Sequence, residues 1–388
     1  MPVSYNPTNR RVGMTGDAHL ENVLEGTKIE HPEIRPRRTL PAEWAPQSAI
    51  QLTWPHADTD WAPMLPEVTA TYVRLAYEIA LRQPLLIVHP DIEQLAAFLR
   101  AQLPQAVADQ IHFVQAPTND TWARDHAFLT VLGTDGAELI DCRFNGWGGK
   151  FEAALDNDIN RQLAQQGWLA GHYRDFNHFE LEGGAIESDG MGTLLTTEAC
   201  LLNPNRRREG DLVATTDRQQ VELRLQDLLG VDRVLWLRHG YLAGDDTDSH
   251  VDTLARLCPE STIAYVRCDD PADEHFEELQ AMEQELLAFR TEQGEPYRLV
   301  PLPMPRAIYD DEGQRLPATY ANFLIMNKAV LMPTYAQPDL DQAAAKALQT
   351  AFPNHEIVGV DCRSLIEQHG SLHCATMQYP RGVFVAKS

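Results

Sequence analysis

Short apolar runs separated by polar turns recur along the chain. "FLTVLGTDGAELIDCRF" from Phe128, "TLLTTEACLLNP" from Thr193 and "FLIMNKAVLMP" from Phe323 each set two apolar runs around a polar turn, the pattern of a β-hairpin. The first two start 65 residues apart and the third follows 130 later, twice that spacing. "STIAYVRC" (Ser261–Cys268) falls midway in the longer gap, and "AIQLTWP" (Ala49–Pro55) lies about one period before the series. Helical periodicity follows each, over Pro66–Leu81, Asp156–Trp168, Asp217–Leu229, Glu274–Arg290 and Leu340–Ala351. After each helix comes one more apolar strand: "PLLIVH", "HFELEGG", "VLWLRHG", "YRLVPLP" and "HEIVGVD". The predicted unit is hairpin, helix, strand, about five times over. A unit that cannot bury its faces alone must stack or close. The expected fold is therefore an α/β protein of five ββαβ blades around an axis, over residues 39–388. Residues 1–38 are polar and aperiodic and read as an N-terminal tail or strap.

Four polar segments fall at the ends of the single strands or in the loops after them: "NDTWARD" (Asn119–Asp125), "LEGG" (Leu181–Gly184), "GDDTDSHVD" (Gly244–Asp252) and "HGSLHC" (His369–Cys374). In a closed ring of blades they converge at one end of the axis. Asp125, His250, Asp252 and Cys374 stand out among them. On an extended segment, His250 and Asp252 would point to one side, being two residues apart. A Cys, a His and two carboxylates suit nucleophilic attack on a cation. The thiolate attacks, the His moves protons, and the carboxylates grip a planar guanidinium by charge-assisted hydrogen bonds. Taken singly, each residue has a blander explanation. Cys374 could be a small core hydrophobe, His250 a solvated or capping residue, Trp122 core, and Glu182 part of a turn. "FNGWGGKF" (Phe144–Phe151) lacks the spacing of a phosphate loop. Recurrence at equivalent places in a repeat is what sets the group apart.

The totals narrow the classes. The 388 residues carry 56 acidic against 32 basic side chains, a net charge of −24, which disfavours nucleic acid and favours a cationic ligand. The six cysteines include no CxxC pair, and suit reduced thiols in a cytoplasm better than a disulfide framework. The N-terminus has no apolar leader, and no apolar stretch is long enough to span a membrane.

With "NDTWARD", "FNGWGGKF", "LEGGAIESDGMGTLLTTEACLLNPNRR", "GDDTDSHVDTLAR" and "LHCATMQYP", the sequence resembles the guanidine-modifying enzymes of the pentein fold. The likeness is to the group that agmatine deiminases share with bacterial peptidylarginine deiminases, and it runs from about Trp44 to Pro380. One departure is His126-Ala127-Phe128 where many relatives continue with Thr-Gly-Pro. The resemblance implies a five-bladed propeller with Cys374 as nucleophile, His250 as acid/base, and Asp125 and Asp252 on the guanidinium. It also implies Trp122 along the substrate's alkyl stem and Glu182 in support. The implied reaction is hydrolysis of agmatine to N-carbamoylputrescine and ammonia through an S-amidino-cysteine, with no metal or organic cofactor. Asp246, four residues before His250, is the candidate for the distal ammonium. Arginine or peptidyl-arginine as substrate, a metal hydrolase using His239 and His250, and a non-catalytic polyamine-binding module are the alternatives. Homo-oligomerisation stays open.

Overall fold

The fourteen-residue segment between Glu367 and Pro380 ends in a strand whose partner lies at the other end of the chain. That pairing organises the rest. The computed structural model of the chain describes residues 38–206 and 217–387. The predicted tail therefore lies outside the described residues, apart from Arg38.

Strands β1 (Gln47–Thr53), β2 (Leu85–His89) and β3 (Ile111–Gln115) run parallel in a first sheet. A second sheet holds β4 (Leu129–Gly133), β5 (Gly136–Arg143) and β6 (His172–Glu180). A third holds β7 (Ile186–Ser188), β8 (Thr193–Thr197) and β9 (Arg233–Leu237), and a fourth β10 (Ala255–Cys258), β11 (Thr262–Arg267) and β12 (Arg298–Pro303). The fifth holds β13 (Leu324–Ile325), β14 (Ala329–Thr334) and β15 (Glu356–Asp361). The last strand, β16 (Thr376–Pro380), returns to pair antiparallel with β1.

From the second sheet to the fifth, the first two strands are antiparallel and the third is parallel to the second. A parallel third strand requires a crossover, and a helix supplies it each time. These helices span Ala154–Gln166, Arg218–Leu229, Phe276–Ala288 and Pro338–Ala351. With β16 as its first strand, the first sheet follows the same plan through the helix Leu65–Ala80. That helix buries Val68, Tyr72, Leu75, Ala76 and Ile79, a stripe at helical spacing that covers the sheet. The largest apolar cluster joins β1 and β2 (Ile50, Leu52, Leu85, Ile87) to the fifth sheet (Leu324, Val330, Leu331).

Three sequence expectations need correction. "TLLTTEACLLNP" is not a hairpin. Only Thr193–Thr197 is extended, and the Thr197 hydroxyl accepts from the Cys200 N–H to start a helical turn over Glu198–Leu201. The partner of β8 is β7, upstream. The strand read from "HFELEGG" begins earlier, at His172, and stops at Glu180. The first sheet also carries an unanticipated helix, Ile92–Gln102, and the extra strand β3. Among the described residues, no helix is long and apolar enough to cross a membrane.

Candidate active site

The chain passes from one sheet to the next five times, and each passage delivers a buried polar residue. Asp125 lies between β3 and β4, Glu182 between β6 and β7, and His250 and Asp252 between β9 and β10. Asn322 lies between β12 and β13, and Cys374 between β15 and β16. The backbone N–H of Arg124 donates to the Cys374 carbonyl at 3.0 Å, which ties the first of these connections to the last.

Gly184 measures how tightly the acids gather. A Cβ there would stand 2.6 Å from His250 Nδ1, 2.9 Å from Asp125 Oδ1 and 3.2 Å from Asp252 Oδ2, so no larger residue fits between them. His250 Nδ1 lies 3.6 Å from Asp125 Oδ1. His250 and Asp252 are not on an extended segment, as the spacing suggested. Asp248 and Ser249 have positive φ (64° and 68°), and Val251–Thr253 forms a 3-10 turn. Both side chains still face Gly184, because the turn rather than a pleat aims them. Asp245 holds the preceding loop by accepting from the N–H groups of Thr247 and Ser249.

The two aspartates are held differently. Asp125 accepts from the Gly184 N–H and from the Trp147 indole N–H, both at 3.0 Å. Asp252 Oδ2 lies 2.7 Å from His373 Nδ1, while Oδ1 is buried with no hydrogen-bond partner among the described residues. Burial pushes the Asp125 carboxyl up to about 6, with Asp252 and Glu182 adding to the rise and His250 opposing it. Burial would raise Asp252 as well, but its bond to His373 and the nearby cations hold it below the usual carboxylate value. Cys374 Sγ sits 3.9 Å from Asp252 Oδ2 and 3.3 Å from Asn322 Nδ2. Burial, then the charges of Asp252 and Asp125, push its thiol well above the ordinary value. Burial also opposes charge on His250, but Asp125, Cys200 and Glu182 outweigh it and hold the imidazolium up to about 10. These shifts favour a protonated thiol beside a charged imidazole.

Above this floor opens a space of about 400 Å³, part of it shared with solvent, lined by Asp120, Trp122, Asp125, Trp147, Asp246 and Cys374 among others. Among the described residues its lining contains no Arg or Lys. A family model described as Porphyromonas-type peptidyl-arginine deiminase matches residues 39–380. The chain belongs to that family. A Porphyromonas gingivalis structure with the provisional name arginine deiminase is 50% identical, covers 90% of this chain and 100% of its own, and superposes with a TM-score of 0.83. A C. jejuni agmatine deiminase, solved as a cysteine-to-serine variant with substrate bound, is 35% identical over 89% of this chain and 97% of its own, with a TM-score of 0.80. The agmatine deiminase of Pseudomonas fluorescens (strain SBW25) is 32% identical over 88% of this chain and 95% of its own length.

In this member of the Porphyromonas-type family, the other predicted residues take distinct places. Trp122 lines the cavity and donates its indole N–H to Asp120 at 3.0 Å. Asp246 stands at the rim, about a third exposed, with His369 Nδ1 3.9 Å from its carboxylate. Glu182, like His250 and Asp252, is not among the residues that line the cavity. It lies behind His250 and pairs with Arg206 at 2.8 Å. Arg206 also bonds Asp248, and Arg124 bonds Glu43 and Gln378, so both arginines are engaged elsewhere. His126, where the loop departs from many relatives, is buried against Thr53 and its basicity is depressed to about 3 by burial, so it stays neutral. His239 lies apart, paired with Glu278.

Three functional candidates escaped the sequence reading: Trp147, Asn322 and His373. Trp147 lay within "FNGWGGKF", weighed against a phosphate loop and quoted as a family motif, but was not itself singled out. Its loop needs Gly148, whose φ is 91° and whose added Cβ would strike Asn205 at 2.4 Å. Asn322 could have been sought on the repeat alone, since four polar segments had been matched to five units. Two donor sets could in principle approach a metal: Glu182, Cys200 and His250, and Glu43, Glu187 and His373. In the second, Arg256 already bridges Glu43 and Glu187, and in the first Glu182 is shared with Arg206.

Proposed function

We propose that this chain hydrolyses agmatine to N-carbamoylputrescine and ammonia, as an agmatine deiminase acting on a guanidino C–N bond. One observation carries the reading: the Cys374 thiol, 3.9 Å from the buried Asp252, lines a cavity together with Asp120, Asp125 and Asp246 and, among the described residues, with no Arg or Lys. A guanidinium placed there offers paired N–H donors to Asp125 and Asp252 and turns its carbon toward Cys374. Binding this cation offsets the like-charge repulsion that keeps the thiol protonated, so the thiol proton is lost to solvent as substrate enters. The Asn322 amide then donates to the thiolate.

The thiolate bonds to the guanidinium carbon, and His250 gives its proton to one amino group, which leaves as ammonia. The neutral His250 next takes a proton from water. The hydroxide adds to the S-amidino carbon, the C–S bond breaks, and the hydroxyl proton passes to the departing sulfur, which returns the thiol and the neutral carbamoyl product. Trp122 lies along the alkyl stem, Asp246 meets the distal ammonium, and Glu182 supports His250 from behind. We place these residues in one catalytic domain, 39–388, whose five sheets close as the blades of a pentein propeller around the site. We place the enzyme in the cytoplasm, where its six free cysteines stay reduced.

A second reading, deimination of arginine, is favoured by the name of the 50%-identical relative. Against it, an α-carboxylate at the rim would meet Asp246, and the Lys150 ammonium is already bound to the Asp246 carbonyl and the Asp248 carboxylate. Ammonia release is to be measured side by side on agmatine, arginine and a blocked peptidyl-arginine. Agmatine is expected to lead free arginine by about a hundredfold in kcat/KM, on the order of 3 kcal/mol. Parity would remove the preference for agmatine and leave the deiminase chemistry. No ammonia from any of the three would overturn the reading.

A further inference from the structure

Beneath the cavity floor lies a buried ion network that the reaction above does not use. His373 is fully buried, and its backbone N–H donates to Asn322 Oδ1 at 2.8 Å. Its Nδ1 meets Asp252 Oδ2 at 2.7 Å. Its Nε2 lies 2.9 and 3.0 Å from the two Glu43 oxygens and 3.0 Å from an Arg256 nitrogen. Arg256 is itself held by Glu187, Glu43 and the carbonyls of Ala321 and Phe323. Glu43 is held in turn by Arg124.

Nδ1 faces a carboxylate oxygen at hydrogen-bond distance. Two acceptors would repel there, so Nδ1 carries the proton and donates it. Nε2 faces both the Glu43 carboxylate and the Arg256 guanidinium; burial, Arg124 and Arg256 lower the basicity of the ring, while Glu43 and the bond to Asp252 oppose them. Asp252 is thus tied by one oxygen only. The other, buried and without a partner among the described residues, is the one left for a substrate N–H.

We infer that His373 is a positioning residue for the reaction: its Nδ1–H fixes the Asp252 carboxylate so that Oδ1 meets the guanidinium, and Arg256 and Glu43 hold the ring for that task. The inference rests on the function proposed above. If His373 were only a satisfied polar residue of the core, its replacements would lose activity in step with stability.

His373→Asn and His373→Gln separate the two roles in the full chain. The Asn amide nitrogen falls where Nδ1 was and can still donate to Asp252, while the Gln amide falls where Nε2 was and can only meet Arg256 and Glu43. Outer partners that orient a functional group commonly carry about 10- to 100-fold of activity. His373→Gln is expected to lose that much in kcat/KM for agmatine, and His373→Asn about threefold or less. Thermal melting should rank them the other way, because Asn abandons Arg256. In His373→Gln the acid limb of kcat/KM should also steepen below the Asp125 titration, since Asp252 loses a donor and keeps His250, Arg256, Asp125, Glu187 and Cys374 around it. Equal losses, or activity that follows melting temperature, would overturn the inference while wild-type turnover upholds the function. A wild type inactive on all three guanidines would overturn both. Should neither variant fold, ¹⁵N resonances of His373 in the wild-type protein decide: a protonated Nδ1 is required, and a bare Nδ1 overturns the assignment.

Discussion

Asp125 and Asp252 are the same residue type, both buried at one floor and both touching the space that Gly184 leaves. Their surroundings make them different acids. Neutral N–H donors hold Asp125, and its carboxyl is pushed up to about 6. Asp252 is tied to His373 within a cation-rich network, and its carboxyl is held down. The lesson is that burial alone does not set the charge of a buried carboxylate. The partners one layer further out do, and here they keep Asp252 ionised in the empty site while Asp125 titrates near physiological pH.

Cys374 is the proposed nucleophile for whatever cation the two acids hold, so its loss should have the largest effect. Cys374→Ala should abolish turnover while circular dichroism stays that of the wild type, and the amidino mass seen on substrate-quenched enzyme should vanish. More than a tenth of wild-type activity would move the nucleophile elsewhere.

Next come the acids themselves. Losing one charge-assisted pair in a dry site costs roughly 2–5 kcal/mol, so Asp125→Asn and Asp252→Asn should each lower kcat/KM at neutral pH by at least about tenfold. They should separate on acidification. The Asp125 carboxyl is raised, so in the wild type it protonates as pH falls through about 6, and the penalty of Asp125→Asn should shrink below that pH. Asp252 stays ionised there, so the penalty of Asp252→Asn should hold. Parallel pH profiles would erase the distinction between the two.

A smaller change sharpens it. Trp147→Phe removes one donor from Asp125 and none from Asp252. A hydrogen bond to a charged group is worth about 1.5–3 kcal/mol, and its loss should raise the Asp125 carboxyl further and carry the acid limb of kcat/KM upward. An unmoved limb would mean that another group sets it. The smallest effect belongs to the rim, where solvent screens charge. Asp246→Asn should raise KM for agmatine a few-fold, more than it lowers kcat, and steady-state kinetics on agmatine will read the split.

How much of this could be read beforehand varied from element to element. The crossover helices fell within a few residues of their periodic patterns because each buries one stripe against a sheet, and burial at a fixed period is written in local sequence. The hairpin at β13 and β14 was equally local. "TLLTTEACLLNP" misled because the Thr197 hydroxyl competes for backbone N–H groups and turns an apolar run into a helical turn. His250 and Asp252 do come together, but through a turn and not through the extended segment expected from their spacing.

By itself, then, the sequence determined the repeat, the family, and which Cys, His and Asp residues to bring together, because periodicity and motifs are properties of neighbours along the chain. Tertiary structure decided what depends on distant neighbours. β1 finds its partner in β16, more than three hundred residues on. Asn322 reaches Cys374 from another sheet connection, Trp147 reaches Asp125 through a glycine turn, and His373 joins Asp252 to Glu43 and Arg256. Those contacts set which carboxylate is charged and which thiol is protonated, since a proton's affinity answers to the field at a point in space and not to position along the chain.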